Sequence, residues 1–234
     1  MRQTTAHCQR IELVGQRVRA HFECNLIPAP GQFLLARLAP TFDPYLRQTL
    51  FPVLISESGF AVELSTDDPA LRFLAPGISV DVIGPAGLPV PDLPPRSRLL
   101  LIADHDPAVL LPFATRAIRG GGAATVLLAH PYPLDALDPE IELRVGDLTT
   151  LTAEFTPGAD TVLIHTDKAL YQTLLDSLTA ARAFFPADYA RALLRPLMPC
   201  GVGACGACAV KTARGHKLAC ADGPFFPLQT GLTF

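Results

Sequence analysis

Neither sign of charge is in excess in this chain, where 19 Lys and Arg stand against 22 Asp and Glu among 234 residues, a formal net charge of −3. Without a basic face it has nothing with which to neutralise nucleic-acid phosphates, nor an unaided hold on anionic lipid. Long hydrophobic runs are missing too. The apolar stretches 99–103 and 108–111 fall far short of the about 20 residues that cross a bilayer, so no membrane span is expected. Residues 1–7 lack the apolar stretch of a secretory signal, which points to the cytoplasm, where thiols stay reduced. A Ser/His/Asp elbow, a Walker loop, a His-x-x-x-His pair and any internal repeat are likewise absent. What is plentiful is apolar. Hydrophobic residues make up 49% of the chain, enough to bury a sizeable core, which excludes disorder and suggests one large domain or two to three small ones.

The apolar residues change rhythm along the chain. Over 17–26, 32–38, 51–56, 60–65 and 78–83 they form short alternating or apolar runs separated by Gly and Pro turn signals, which predicts an antiparallel β-barrel or sandwich. Five of the eleven residues from 85 to 95 are proline, so this stretch reads as an extended connector and places a boundary near 96. Beyond it, strands over 99–103, 125–129, 140–145 and 161–165 and helices over 108–119 and 168–184 alternate as a parallel α/β sheet requires. The stretch 186–234 has little periodicity and four of the six cysteines. The expected organisation is therefore three domains, over 1–96, 97–185 and 186–234.

Cys200, Cys205, Cys208 and Cys220 are spaced Cys-x4-Cys-x2-Cys-x11-Cys. In a chain with reduced thiols such crowding indicates metal, and the first three match the plant-type [2Fe–2S] spacing with a distant fourth ligand. Four thiolates around two irons form a buried anion. Gly201, Gly203 and Gly206 can take φ > 0 and turn their N–H groups toward the sulfurs. A four-cysteine zinc site is the alternative, although such sites usually present two close pairs of ligands. Cys8 and Cys24 lie in or beside expected strands and read as small buried apolar residues. His105, His130 and His165 fall at the ends of the α/β strands, where loop or cap roles are expected.

The run Met198-Pro-Cys200-Gly-Val-Gly-Ala-Cys205-Gly-Ala-Cys208, followed by Cys220-Ala-Asp222-Gly223-Pro224-Phe225-Phe226, resembles the electron-transfer subunit of dihydroorotate dehydrogenases that use a separate flavin and iron–sulfur subunit. Pro30-Gly31-Gln32-Phe33 and Ile83-Gly84-Pro85-Ala86-Gly87 resemble that family's early strand and barrel end. The family belongs to the ferredoxin reductase superfamily. The resemblance implies an N-terminal barrel carrying FAD, a central Rossmann-like α/β domain for NAD, and a C-terminal [2Fe–2S] domain. It also implies a hetero-oligomer with a flavin-containing catalytic subunit, in pyrimidine synthesis.

The nucleotide motifs depart from the family's pattern. Where the family reads Leu-Arg-Arg-Pro, an apolar residue and Ser, this chain has Leu46-Arg47-Gln48-Thr49-Leu50-Phe51. Arg47 could meet a pyrophosphate and Thr49 could donate a hydroxyl, but Phe51 replaces the serine. Ser65-Thr66-Asp67-Asp68 stands where the family has a Gly- and Thr-rich phosphate turn, and its carboxylates would repel phosphate. FAD thus stays open, with an ion-paired Arg47 as the alternative. After the first α/β strand, Asp104-His105-Asp106-Pro107 replaces the Gly-rich turn, and Asp106 with Pro107 reads as a helix cap in the phosphate's place. NAD is not expected there. Two functional readings follow. One is a subunit relaying electrons through the cluster, and the other is a non-enzymatic cluster-bearing adaptor or docking subunit that has lost both nucleotide sites.

Overall fold

In the computed structural model, which describes residues 1–39, 46–133, 137–184, 186–230 and 232, the chain divides into two units. The first comprises 1–90, 195–209 and 218–224, and the second 91–194, 210–217 and 225 onward.

Seven strands make the first unit's sheet: β1 (Arg2–Val14), β2 (Arg17–Glu23), β3 (Phe33–Arg37), β4 (Gln48–Leu50), β5 (Pro52–Ile55), β6 (Gly59–Ser65) and β7 (Ser79–Ala86). They run antiparallel in the order β4-β3-β7-β1-β2-β6-β5. The two edge strands, β4 and β5, are successive in the chain with Phe51 alone between them, so the sheet must curl until its edges approach. Ala6, Cys8, Ala20, Phe22, Phe60, Val62 and Leu64 point inward, and the Phe22 and Phe60 rings stack at 5.5 Å. Both Cys8 and Cys24 are buried, as small apolar residues would be. Two charged side chains, Arg19 and Glu63, are buried on the other face, where cross-strand partners meet. Arg19 Nε and Nη2 both donate to Glu63 Oε1, at 3.0 and 2.6 Å.

Two details differ from expectation. The thirteen-residue strand β1 begins in a stretch with no strand signal, because its inward residues are the small Ala6 and Cys8 rather than a row of large apolar ones. Strand β7 runs through Pro85 to Ala86, two residues into the expected connector. Its pairing with β1 stops at Gly84, so the N–H that Pro85 lacks is not required there.

The second unit holds β8 (Arg98–Ala103), α1 (Leu111–Arg119), β9 (Ala123–Leu128), β10 (Glu142–Val145), α2 (Leu148–Phe155), β11 (Thr161–His165), α3 (Tyr171–Ala181) and β12 (Ala190–Leu193). Further along the chain come the short hairpin β13 (Ala209–Thr212) and β14 (Gly215–Leu218), then α4 (Ala219–Asp222), which belongs to the first unit, and β15 (Phe225–Pro227), which belongs to the second. The sheet order is β10-β9-β8-β11-β12-β15, parallel except for β12 with β15. Strand β8, at its centre, is apolar from Leu99 to Ala103 with every residue buried, as a strand covered on both faces should be. Helix α2 escaped the sequence reading although its signal is present. Asp147 Oδ1 accepts the Thr150 N–H at 2.8 Å as an N-cap, and Leu148, Leu151 and Phe155 follow at helical spacing. Among the described residues no helix is long and apolar enough to cross a membrane.

Candidate metal centre

The cysteine loop is shaped by its glycines. Gly201, Gly203 and Gly206 adopt φ of +66°, +76° and +71°, a region that side-chain-bearing residues enter only with strain. The Gly203 N–H donates to the Cys220 sulfur at 3.1 Å. A Cβ on Gly201 would stand 2.8 Å from Leu35 Cδ1 and 3.5 Å from Ala86 Cβ, so the loop lies close against β3 and the end of β7. The fourth cysteine is anchored on the same unit. Gly87 N–H donates to the Cys220 carbonyl at 3.1 Å, Leu88 N–H to the Gly223 carbonyl at 2.6 Å, and Ala219 N–H to the Cys208 carbonyl at 3.0 Å. Asp222 closes the α4 turn by accepting the Leu218 N–H at 2.8 Å.

Two of the four thiols meet. Cys208 and Cys220 are buried with their sulfurs 3.2 Å apart, too far for a disulfide at about 2.0 Å and near enough to share one metal ion. Cys200, half-buried, and Cys205, exposed, stand nearer solvent, and the Cys205 thiol helps to lower Cys200. Backbone N–H groups of Val202, Cys205 and Ala204, with that thiol, hold Cys200 down to about 6 against the cost of burial. Burial, then the adjacent Cys208 thiol, pushes Cys220 up to about 12. Among the described residues no three His, Cys, Asp or Glu side chains converge on one point. Four soft thiol donors, with glycines and backbone N–H groups around them, fit a dinuclear cluster in which each iron takes two thiolates.

The residues expected near a flavin are engaged elsewhere. Arg47 Nη1 donates to the Asp81 carbonyl at 3.0 Å and Nη2 pairs with the Asp81 carboxylate. Gln3 also donates to that carboxylate, at 2.9 Å. Asp81, absent from the sequence reading, lies on β7, 34 residues away from Arg47, and no local pattern signals such a pairing. Thr49 is half-buried on β4 opposite Leu35. Phe51 is buried, its ring centroid 5.4 Å from that of Phe33 and the Arg195 guanidinium 4.8 Å from its ring centre. Asp67 takes the Ser65 hydroxyl. Asp68 accepts from Ala70 N–H and from Gln48 Nε2, both at 2.8 Å.

Burial works against the charged form of Asp81, but the hydrogen bonds from Arg47 and Gln3 and the charges of Arg47 and Arg37 outweigh it and hold its carboxyl below the usual range. A lowered folded value means that this stabilisation is complete above about pH 4 and is lost as pH falls through that value. Asp81→Asn should therefore be less stable than the parent at neutral pH, the gap closing in acid. Urea midpoints compared across pH check this, and a gap independent of pH would contradict it.

At the ends of the parallel strands, carboxylates occupy the backbone donors. Asp104 Oδ1 accepts the His105 N–H at 2.8 Å and Oδ2 the Asp167 N–H at 2.7 Å. Asp106 Oδ1 accepts the Ala108 N–H at 3.0 Å, in the capping role its position before Pro107 predicts. Both aspartates are 8% exposed. His165 Nδ1 donates to the Asp106 carbonyl at 2.9 Å, while the rings of His105 and His130 stack at 5.5 Å. The glycines 120–122 close helix α1: Gly120, Gly121 and Gly122 N–H groups donate to the carbonyls of Arg116, Ile118 and Ala117.

Comparison with known proteins agrees with the sequence resemblance. Residues 196–230 match the family described as the iron–sulfur cluster binding domain of dihydroorotate dehydrogenase B. The electron transfer subunit of dihydroorotate dehydrogenase B (NAD(+)) from Bacillus caldolyticus is 27% identical over 216 residues, 84% of each chain. That from Lysinibacillus sphaericus (strain C3-41) is 24% identical over 221 residues, 86% of each chain. Among solved structures, the NADH-dependent reduced ferredoxin-NADP oxidoreductase described for flavin-based electron bifurcation superposes with a TM-score of 0.78 at 20% identity, covering 97% of this chain and 89% of that one. The ferredoxin reductase of carbazole 1,9a-dioxygenase, in its FAD apo form, gives 0.61 at 12% identity, over 82% of this chain and 65% of that one. At such identities the structures establish the fold, which is ferredoxin reductase-like.

Proposed function

We propose that this chain is the electron-transfer subunit of a dihydroorotate dehydrogenase-type complex, holding a [2Fe–2S] cluster on Cys200, Cys205, Cys208 and Cys220 and working beside a flavin-containing catalytic subunit in pyrimidine synthesis. The observation that carries this reading is the approach of the Cys208 and Cys220 sulfurs to 3.2 Å beside a loop of positive-φ glycines whose Gly203 N–H donates to the Cys220 sulfur. The similarity to electron transfer subunits over about 85% of the chain supports the same role. In this reading the curled antiparallel sheet within 1–96 is the reductase-type barrel, 97–185 the α/β domain, and 186–234 the cluster-bearing segment.

When bound, the cluster supplies reversible one-electron exchange. The chain's own groups set the terms of that exchange. Cys208 and Cys220, fully buried, would hold one iron away from water, whereas Cys205 is exposed and Cys200 half-buried, leaving these two thiols as the side nearer solvent and a docking flavin. The Gly203 N–H stabilises negative charge on the Cys220 sulfur, which favours the reduced, more negative state and raises the potential. An adaptor that keeps the cluster for structure alone is not favoured, because the relatives aligned over most of the chain are electron-transfer subunits.

Purification without air tests the proposal. A red-brown protein with iron and sulfide in equal amounts, and a one-electron-reduced state visible by electron paramagnetic resonance, is the expected outcome. A colourless protein containing zinc would overturn it.

A further inference from the structure

We infer that the flavin seat implied by the family resemblance is closed by the chain's own side chains, so that the cluster is the sole redox group of this subunit and its electron exchange outside the catalytic subunit is with a one-electron carrier instead of a pyridine nucleotide. The cluster part of this inference rests on the relay reading above, while the flavin part takes the seat's position from the resemblance and its closure from geometry.

Binding a dinucleotide requires cations and backbone donors for its two phosphates and a slot for its ring. The one candidate cation that the resemblance supplies, Arg47, spends both terminal nitrogens on Asp81. A pyrophosphate arriving there would have to displace a carboxylate of the same sign and leave it beside the phosphates. The turn after β6, where phosphate should find glycine N–H groups, presents Asp67 and Asp68. Asp68 already binds both the Ala70 N–H and the Gln48 side chain. Where the family pattern has serine, Phe51 lies buried against Phe33 and under the Arg195 guanidinium, so an aromatic side chain fills space that a serine would leave open. Among the described residues, a cavity beside Gln48 and Asp68 measures about 190 Å³, below the about 300–1,000 Å³ of small-molecule sites.

The second unit is closed to pyridine nucleotide for a parallel reason. Three N–H groups at its strand ends, those of His105, Ala108 and Asp167, donate to the carboxylates of Asp104 and Asp106. A phosphate would meet two nearly buried negative charges there and no open donor among these three.

The electron count follows. A nicotinamide gives or takes two electrons together as hydride, and a [2Fe–2S] cluster takes one. With no flavin in the subunit to split the pair, direct exchange with NADH or NAD has no route. Two electrons leaving the partner's reduced flavin would instead cross one at a time. Each would be taken up by the cluster as one unit of reduction and passed to one equivalent of a one-electron acceptor, so two acceptor equivalents would serve each substrate oxidised. The protons are released to solvent at the flavin.

The test uses the full chain, reconstituted anaerobically with iron and sulfide, incubated with excess FAD and desalted. Heat-released flavin is then measured, and the cluster is challenged with NADH or with reduced methyl viologen. Trace flavin, no bleaching by NADH and full bleaching by one electron per chain from the viologen are expected. Flavin approaching one per chain, or bleaching by NADH in the absence of the partner, would overturn the inference. The flavin measurement reads with or without iron, so failure to bind a cluster would defeat the relay reading and leave the answer on flavin intact.

Discussion

Replacing Cys205 by Ser is expected to abolish the visible absorbance of the iron–sulfur centre and to unlock the loop that carries it. Serine offers a poorly acidic hydroxyl in place of a soft thiolate, and one iron of the pair would lose half its protein ligands. Apparent metal-binding energies of about 10–16 kcal/mol in small structural zinc sites match or exceed the about 5–15 kcal/mol that holds a whole domain folded. A loop with three positive-φ glycines and few large buried side chains has little else to hold it. Hydrogen exchange should therefore rise across 200–209 and 218–224. It should stay slow in β15, whose residues Phe225–Pro227 pair with β12 and whose Phe225 ring packs edge-on against Phe113 at 5.3 Å. An unchanged visible spectrum would remove Cys205 from the ligand set.

Gly59→Ala should unfold the first unit's sheet at a much lower temperature. A Cβ at this position would fall 1.9 Å from the Phe22 carbonyl oxygen and 3.1 Å from Glu23 Cα. Those atoms are backbone of β2, directly across from Gly59 in the β2–β6 ladder, where Glu23 is its partner. The conflict can be relieved only by prising the strands apart, which breaks ladder bonds and uncovers the stacked Phe22 and Phe60 rings. Two or three lost hydrogen bonds at about 1 kcal/mol each, plus strain, give a loss on the order of 3–5 kcal/mol. For a chain of this size that lowers Tm by roughly 10 °C. Gly158→Ala is the control: it meets nothing within 4 Å and has no positive φ, so it should leave Tm almost unchanged. Equal melting of the two variants, followed by circular dichroism, would contradict the close approach of β2 and β6.

Cys205→Ser and Gly59→Ala concern the same unit, because the cysteine loop rests on strands of the curled sheet. Gly201 approaches Leu35 and Ala86, and Gly87 binds the Cys220 carbonyl. Little of this could be read beforehand. The stretch from 186 onward lacks periodicity, so strands β12 and β15 left no trace in the pattern of apolar residues. They are only four and three residues long and owe their pairing to each other and to β11. Strand β1 was hidden for a related reason. Its inward side chains, Ala6 and Cys8, are too small to announce a buried face.

What the sequence determined alone was whatever depends on neighbours along the chain. Cysteine spacing and the glycines between Cys200 and Cys208 are local features of the chain, and they carry the proposed chemistry of the cysteine loop. The apolar run of β8, the Asp106–Pro107 cap and the change of rhythm near residue 96 are local in the same sense. Tertiary structure decided the rest. It brought Asp81 onto Arg47, Arg195 over Phe51 and Asp104 onto the Asp167 N–H, and so settled what those side chains are free to bind. The partners in each case lie tens of residues apart, and only the folding of strands into sheets sets which of them meet.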